Sequence, residues 1–329
     1  MSSIQTRPIK GRSINGGLMS RLKVVLSLSL PLVLLMSAST VRAATLYVNC
    51  SGKVGLTSIG AALKALQYSE GHGSSTINVS GACHENLVIQ SLDRLTLNAI
   101  NGASVSDASG GSLDVILIQD SRDVSVNGFT IYAGSGANAN GVDCSEYSLC
   151  RLSGNVIQGA GNGGVAVFGV SNATLDGDTL QNNGSAGLLV RTGSTVRSGG
   201  QGRPITARNN SQGINLARDT IAAIAVVITN NSNVGALAQF NSTMDLTGSI
   251  SGNGSAGVLI REASVARLGA TISGNVGPGV LIQDLSMVTF TGGTVTGNNS
   301  EGTDVVCNPQ YSATRGVADT GAKTNCVEP

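Results

Sequence analysis

The chain has 329 residues, 41% of them apolar, with 45 glycines, 6 prolines, no tryptophan and a formal net charge of +1. Glycine stands at about twice its usual share without a collagen period or much proline, which excludes fibrous and proline-rich disordered classes. Aromatic residues make up only 3%, so a core must come from Val, Leu, Ile and Ala.

Residues 1–43 read as an export signal. Arg7, Lys10, Arg12, Arg21 and Lys23 precede the apolar run Val24 to Met36, and Val41-Arg42-Ala43 offers a cleavage site before Ala44. The run is short for a bilayer and carries Pro31, which disfavours a membrane anchor. Met19 is a second candidate start that leaves a more ordinary signal. Processing leaves 14 basic against 19 acidic residues, a net charge of −5. A chain of that sign gives no footing for nucleic acid. The expected location is the periplasm or the exterior, with no membrane span in the mature chain.

The mature chain reads as one domain, 44–329: an N-terminal cap over 44–85, rungs over 86–306 and a C-terminal cap over 307–329. In the first cap Ser58 precedes IGAALKAL, whose Ile59, Ala62, Leu63 and Leu66 form one stripe. That pattern predicts a short capped helix plugging the first rung. Six cysteines in an exported chain suggest disulfides. Their positions favour Cys50–Cys83 around the helix, Cys144–Cys150 six residues apart, and Cys307–Cys326 around the tail. With two histidines and no CxxC, neither a metal nor a cofactor is expected.

The dominant feature is a column of glycines: Gly141, Gly164, Gly187, Gly213, Gly235, Gly257, Gly279 and Gly302. Their spacing is 22 or 23 residues except for one interval of 26. A fixed period of this length means one supersecondary unit stacked on its copies. One and three residues after each glycine stand apolar pairs such as Val165/Val167, Leu188/Val190 and Val258/Ile260. Seven before the next stand Ile157, Leu180, Ile228, Ile250, Ile272 and Val295, with Thr206 the exception. Residues two apart share a face of a strand, so these columns are expected to point inward. Each strand then pairs in parallel with its counterpart one rung on, and parallel crossovers are right-handed. Residues 86–105 and 113–132 resemble rungs without the glycine, giving about ten in all. The prediction is an all-β, single-stranded right-handed parallel β-helix with a short N-terminal capping helix.

Four residues before each glycine lie Asn183, Asn209, Asn231, Asn253, Asn275 and Asn298. Stacked amides can bond one another along the axis, so these predict an asparagine ladder. Two after the glycine, Ala166, Leu189, Asn215, Leu237, Leu259 and Leu281 are expected to face outward, either under the tail or as a protein contact surface.

The YVNCSG opening, the SIGAALKAL helix, GACHENLVI, the NG and GN rungs and the cysteine-closed tail resemble the right-handed parallel β-helix proteins of the pectin-lyase-like superfamily. The resemblance is closest to exported bacterial members without assigned function, and it covers essentially the whole mature chain. It implies a fold, because that superfamily includes lyases, hydrolases, epimerases, adhesins and inert scaffolds. Its polygalacturonase motifs are missing except for Gly71-His72-Gly73, which reads as chance. Arg203-Pro204 does not keep the spacing of the pectate-lyase arginine site.

Two carboxylate pairs stand out in the sequence: Glu262 with Asp284 for acid–base work, and Asp176 with Asp178 for calcium. Charged residues at turns are more often merely solvated. The 26-residue rung concentrates Arg191, Arg197, Arg203 and Arg208, with Arg218 one rung on, in an otherwise acidic chain. Guanidinium forks suit carboxylates and sulfates. The leading expectation is an exported scaffold without conventional enzyme activity that binds an acidic glycan or a protein partner there. The alternative is a polysaccharide lyase, hydrolase or epimerase with a divergent site.

Overall fold

The computed structural model describes residues 43–67, 73–299, 302–308 and 313–326. The expected export segment and the Gly71-His72 part of the GHG triplet lie outside these residues.

Among the described residues every strand pairing is parallel. Ten short strands, from Leu87–Gln90 to Val305–Cys307, stack into one sheet, one strand per rung. The remaining strands wrap the other sides as a nineteen-stranded sheet. Val165, Leu188, Ile214, Ala236, Val258 and Val280 pair in series, as the inward column requires. All six are at most 1% exposed and belong to one continuous aliphatic core. The molecule is the parallel β-helix of about ten turns that the repeat predicts.

Why glycine recurs is a matter of close approach between rungs. A methyl group on Gly141, Gly164, Gly187, Gly213, Gly235 or Gly257 would lie under 3.0 Å from the carbonyl oxygen of the next column glycine. None of the six has a positive φ. The last assignment needs correction. Val280 pairs with Val305, so Asp304 and not Gly302 occupies the column position on the final rung. Gly302 instead sits in a left-handed turn, φ +91, with no rung stacked against it.

The asparagine ladder exists, with one member displaced. Asn183 donates to Asn210, Asn210 to Asn231, and the chain continues through Asn253, Asn275 and Asn298 to Asp304. Each amide oxygen also accepts the backbone N–H of the preceding member. Asn209 is exposed, at φ 54, and takes no part. In this rung the stretch between ladder and glycine is one residue shorter, so the amide falls three before Gly213. The same shift places Ala207, not Thr206, opposite Leu180 in the core.

A second internal ladder runs through Ser121, Ser148, Ser171, Ser194, Thr220, Ser242, Ser264 and Ser286, all buried at the turn between the two sheets. Here backbone N–H groups donate to the next rung's hydroxyl. The column is readable seven residues after each glycine. Both ladders satisfy turn backbone that no strand partner reaches.

The three expected disulfides form. Cys144–Cys150 joins the two sheets across the core within one rung, both residues fully buried. Cys307–Cys326 holds the tail to the last rung, where Thr324 bridges Val305. The tail also adds a strand, Ala313–Arg315, alongside Met287–Thr289.

At the other mouth the helix Ile59–Gln67 buries Ile59, Ala62, Leu63 and Leu66. Ser58 Oγ accepts the Ala61 N–H at 3.0 Å, as expected. The stronger cap comes from Glu85, whose two oxygens accept the N–H groups of Ile59 (2.7 Å) and Gly60 (3.0 Å). Glu85→Gln removes a charge that favours the helix N-terminus and one of two acceptors, and should cost about 1 kcal/mol in urea denaturation. An unchanged midpoint would show that the carboxylate contributes nothing.

Candidate functional site

The ten-stranded sheet turns alternate residues away from the core. One outward row is Val88, Leu117, Asp143, Ala166, Leu189, Asn215, Leu237, Leu259 and Leu281. Ala166 and Leu189 stand apart from the core yet are 0% exposed. The row is closed from Asp143 through Leu237 and half-buried at Leu259 and Leu281, so the expected outward stripe is not a bare surface. The described tail residues do not supply the cover, because they pair at the last rung and on the other sheet.

The next outward row lies at the flank where the sheet turns into its neighbour. Gln90, Gln119, Ser145 and Arg191 stand here, half-buried or exposed. The turn beside them runs Asp120, Glu146, Gly169, Thr192, Arg218, Phe240, Glu262 and Asp284, one residue per rung, joined by backbone hydrogen bonds. All except Gly169 are non-glycine residues at positive φ, and Gly169 shares that conformation. The turn therefore presents its side chains in a rigid file about 4.8 Å apart. A cleft of about 570 Å³ lies along it, lined by Gln90, Asp120, Glu146, Tyr147, Gly169, Val170 and Thr192.

The five expected arginines do not converge. Arg203 donates to Asp176 Oδ2 from Nε (3.1 Å) and Nη2 (2.8 Å), and its backbone N–H donates to Oδ1. Arg208 donates to Gln181 Oε1, and Arg197 is exposed on the other sheet. Arg191 and Arg218 come together at the turn. Burial, and then the charge of Arg218, push the Arg191 guanidinium below its ordinary pKa. Among the described residues no carboxylate lies within 4.0 Å of either.

Asp143 is a candidate that the sequence reading missed. It is 7% exposed in the closed row, and its Oδ1 has no hydrogen-bond partner among the described residues. Burial pushes its carboxyl up to about 7, helped by the charges of Asp114 and Glu146 and only partly offset by hydrogen bonds from Ser145 and Asn140. Asn140 bridges the acid pair: its N–H donates to Asp114 Oδ1 at 2.6 Å and its Nδ2 to Asp143 Oδ2 at 3.3 Å. Burial also raises Asp114. The signal was present, since Asp143 is the one carboxylate in a row otherwise aliphatic or amide.

The two carboxylate pairs weighed from sequence have other surroundings. Asp178 is fully buried and accepts from Asn155 N, Asn155 Nδ2 and Asp176 N. Burial pushes it up to about 6 against those bonds. Asp176, bonded to Arg203, is held below the usual carboxylate range. These partners leave the pair no open face for calcium. Glu262 and Asp284 do occupy neighbouring turns, with Glu262 Oε1 3.9 Å from Arg261 Nε.

Cys50, Cys83 and Glu85 are near enough for a metal, but the sulfurs form a disulfide and the carboxylate caps the helix. Another cavity, about 660 Å³, lies by Asn275, Asn298 and Asp304 at the closed end. Its amides are already spent on the ladder, so it offers less chemistry than the flank.

No protein-family model matches the chain, and no curated protein matches it in sequence. Among solved structures it is similar to the A-module of the Azotobacter vinelandii mannuronan C-5 epimerase AlgE4. Identity is 15% and the TM-score 0.58, over 86% of this chain and 98% of that one. The A-module of AlgE6 from the same organism follows at 16% identity and a TM-score of 0.52, over 82% of this chain and 91% of that one. At such identities the likeness is one of fold, and the fold shared is the parallel β-helix that the repeat predicts.

Proposed function

We propose that the protein is an exported β-helix scaffold that binds an acidic polysaccharide along the flank of its ten-stranded sheet, with Arg191 and Arg218 as the anion-recognising pair. The observation that carries this reading is the pair itself. Arg191 and Arg218 stand on adjacent rungs at one turn with no carboxylate within 4.0 Å among the described residues, so their like charges repel and an anionic ligand relieves that repulsion. Arg197, Arg203 and Arg208 fall out of the ligand set on this reading. The epimerase modules with the similar fold act, by their names, on mannuronan, a polysaccharide. Three disulfides suit an oxidising compartment, and no described helix is long and apolar enough to cross a membrane.

Asp143 favours a second reading, a polysaccharide-active enzyme. A carboxyl poised near neutrality with one free oxygen is equipped to take or give a proton. One experiment separates the two. The processed protein is titrated with sulfated and uronate oligosaccharides, and each mixture is assayed for unsaturated products, new reducing ends and altered epimer ratio. Arg191→Gln/Arg218→Asn should weaken binding at least about ten-fold, one lost charged contact or more. Asparagine at 218 tolerates the φ of 67 found there. Binding without any product supports the scaffold; turnover lost in Asp143→Asn establishes the enzyme. Wild-type protein that retains no acidic glycan overturns the proposal.

A further inference from the structure

The cleft on the same turn carries more than a positive pair. At its lower end Tyr147 is 73% exposed, with Asp120 and Glu146 on consecutive rungs beside it and Gln90 across from them. Tyr147 and Val170 both stand at positive φ, 63 and 61, which is rare for a β-branched or aromatic residue. The backbone ladder on either side holds them so. An aromatic ring kept in solvent by a strained and rigid turn is a stacking platform for the apolar face of a sugar ring.

Charge decides which sugar fits. Carboxylates accept hydroxyl hydrogens but repel another carboxylate or a sulfate. Asp120 and Glu146 therefore admit an uncharged ring over Tyr147 and reject an anionic one. From Glu146 the turn passes Gly169 and Thr192 before reaching Arg218, three rungs on and about 14 Å away. Gly169 and Thr192 carry no charge. The file thus reads acceptor, neutral, neutral, cation.

Resting on the acidic-glycan reading above, we infer that the ligand is a heteropolysaccharide in which uncharged and anionic sugars alternate, an uncharged unit stacking on Tyr147 while an anionic unit about three sugars along meets Arg218 and Arg191. An odd number of steps separates the two ends, so an alternating polymer satisfies both in a single register. A polymer charged at every unit cannot: one carboxylate always lies against Asp120 and Glu146.

Calorimetric titration with two probes tests this, a hyaluronan hexasaccharide, which alternates a uronate with an uncharged amide sugar, and a hexamannuronate, charged at every unit. The wild type should bind the alternating probe about ten-fold more tightly, the scale of one stacked ring. Tyr147→Asn keeps a residue suited to that φ, removes the ring and should erase the preference. Asp120→Asn/Glu146→Gln should raise the affinity for hexamannuronate alone. Equal affinity of the wild type for the two probes, or a preference that survives Tyr147→Asn, overturns the inference and leaves the acidic-glycan reading standing. Binding of neither probe, or of any other acidic glycan, overturns both.

Discussion

Gly235→Ala is expected to destabilise the protein by about 3 kcal/mol, the upper end of the usual range for an overpacked core. The added carbon would stand 2.5 Å from Gly257 O, 2.8 Å from Asn253 Nδ2 and 2.9 Å from Ile250 Cγ2. The first obstacle is backbone of the next rung, and the second is a ladder amide bonded at 2.8 Å to Asn275. Neither can step aside without opening the spacing of the coil. Gly200→Ala is the control: nothing lies within 4 Å of its added carbon, and its φ is not positive. It should change stability by less than about 0.5 kcal/mol. Equal denaturation midpoints for the two variants would contradict the close-approach account of the glycine column.

Asp143→Asn is expected to stabilise the protein at pH 7.5, by on the order of 3 kcal/mol, shared with Asp114 because the two titrate as a pair. A carboxyl raised from 3.8 to about 7 in the folded state holds its proton there while the unfolded chain has released it. The folded state then binds more protons, so this group's contribution is most favourable below about 3.8, fades as pH rises to about 7 and is level above. Asp178, raised to about 6, acts in the same direction. Asp107 works the other way and only in acid. Burial raises it, but hydrogen bonds from Ser109, Asn86 and Gly111 outweigh burial and lower it to about 2, so its contribution is lost as pH falls toward 2. Between pH 5 and 7.5 the wild type should lose stability, and the variant should lose much less. Denaturation curves that stay parallel at the two pH values would remove Asp143 from the account. A residue that weakens the fold at neutral pH is the kind retained for function.

Much of this architecture is legible in the sequence. A column of glycines has one physical cause in a solenoid, contact between stacked backbones, and the aliphatic pairs after it follow from strand alternation. The capping helix followed from Ser58 and its apolar stripe. Where the reading slipped, the chain had changed length locally. The 26-residue rung takes up its extra residues before Ile205 and gives one back before Gly213, which moves the ladder from Asn209 to Asn210. The last rung gains two residues between Asn298 and Asp304, and Gly302 falls out of the column. Sequence spacing counts residues, whereas rungs align hydrogen bonds, and the two agree only while the turns keep one length.

The site was less legible for a different reason. Five arginines within 28 positions looked like one patch, but a solenoid turns each a different way. Arg203 and Arg208 go to Asp176 and Gln181, and only Arg191 and Arg218 share a turn. Asp143 carried a readable signal as the lone carboxylate of its row, yet its environment depends on Asp114, 29 residues earlier, and on Asn140 between them. Pairings of that kind become visible only when rungs are stacked.

The central claim, that an acidic glycan lies along this flank, is tested most directly by a crystal structure of residues 44–329 soaked with a sulfated or uronate oligosaccharide. The account predicts an anionic group within hydrogen-bond distance of Arg191 and Arg218 and a sugar chain following the turn toward Tyr147. A ligand seated instead at Arg197 and Arg208 on the other sheet, or at the closed end near Asn298, would contradict it.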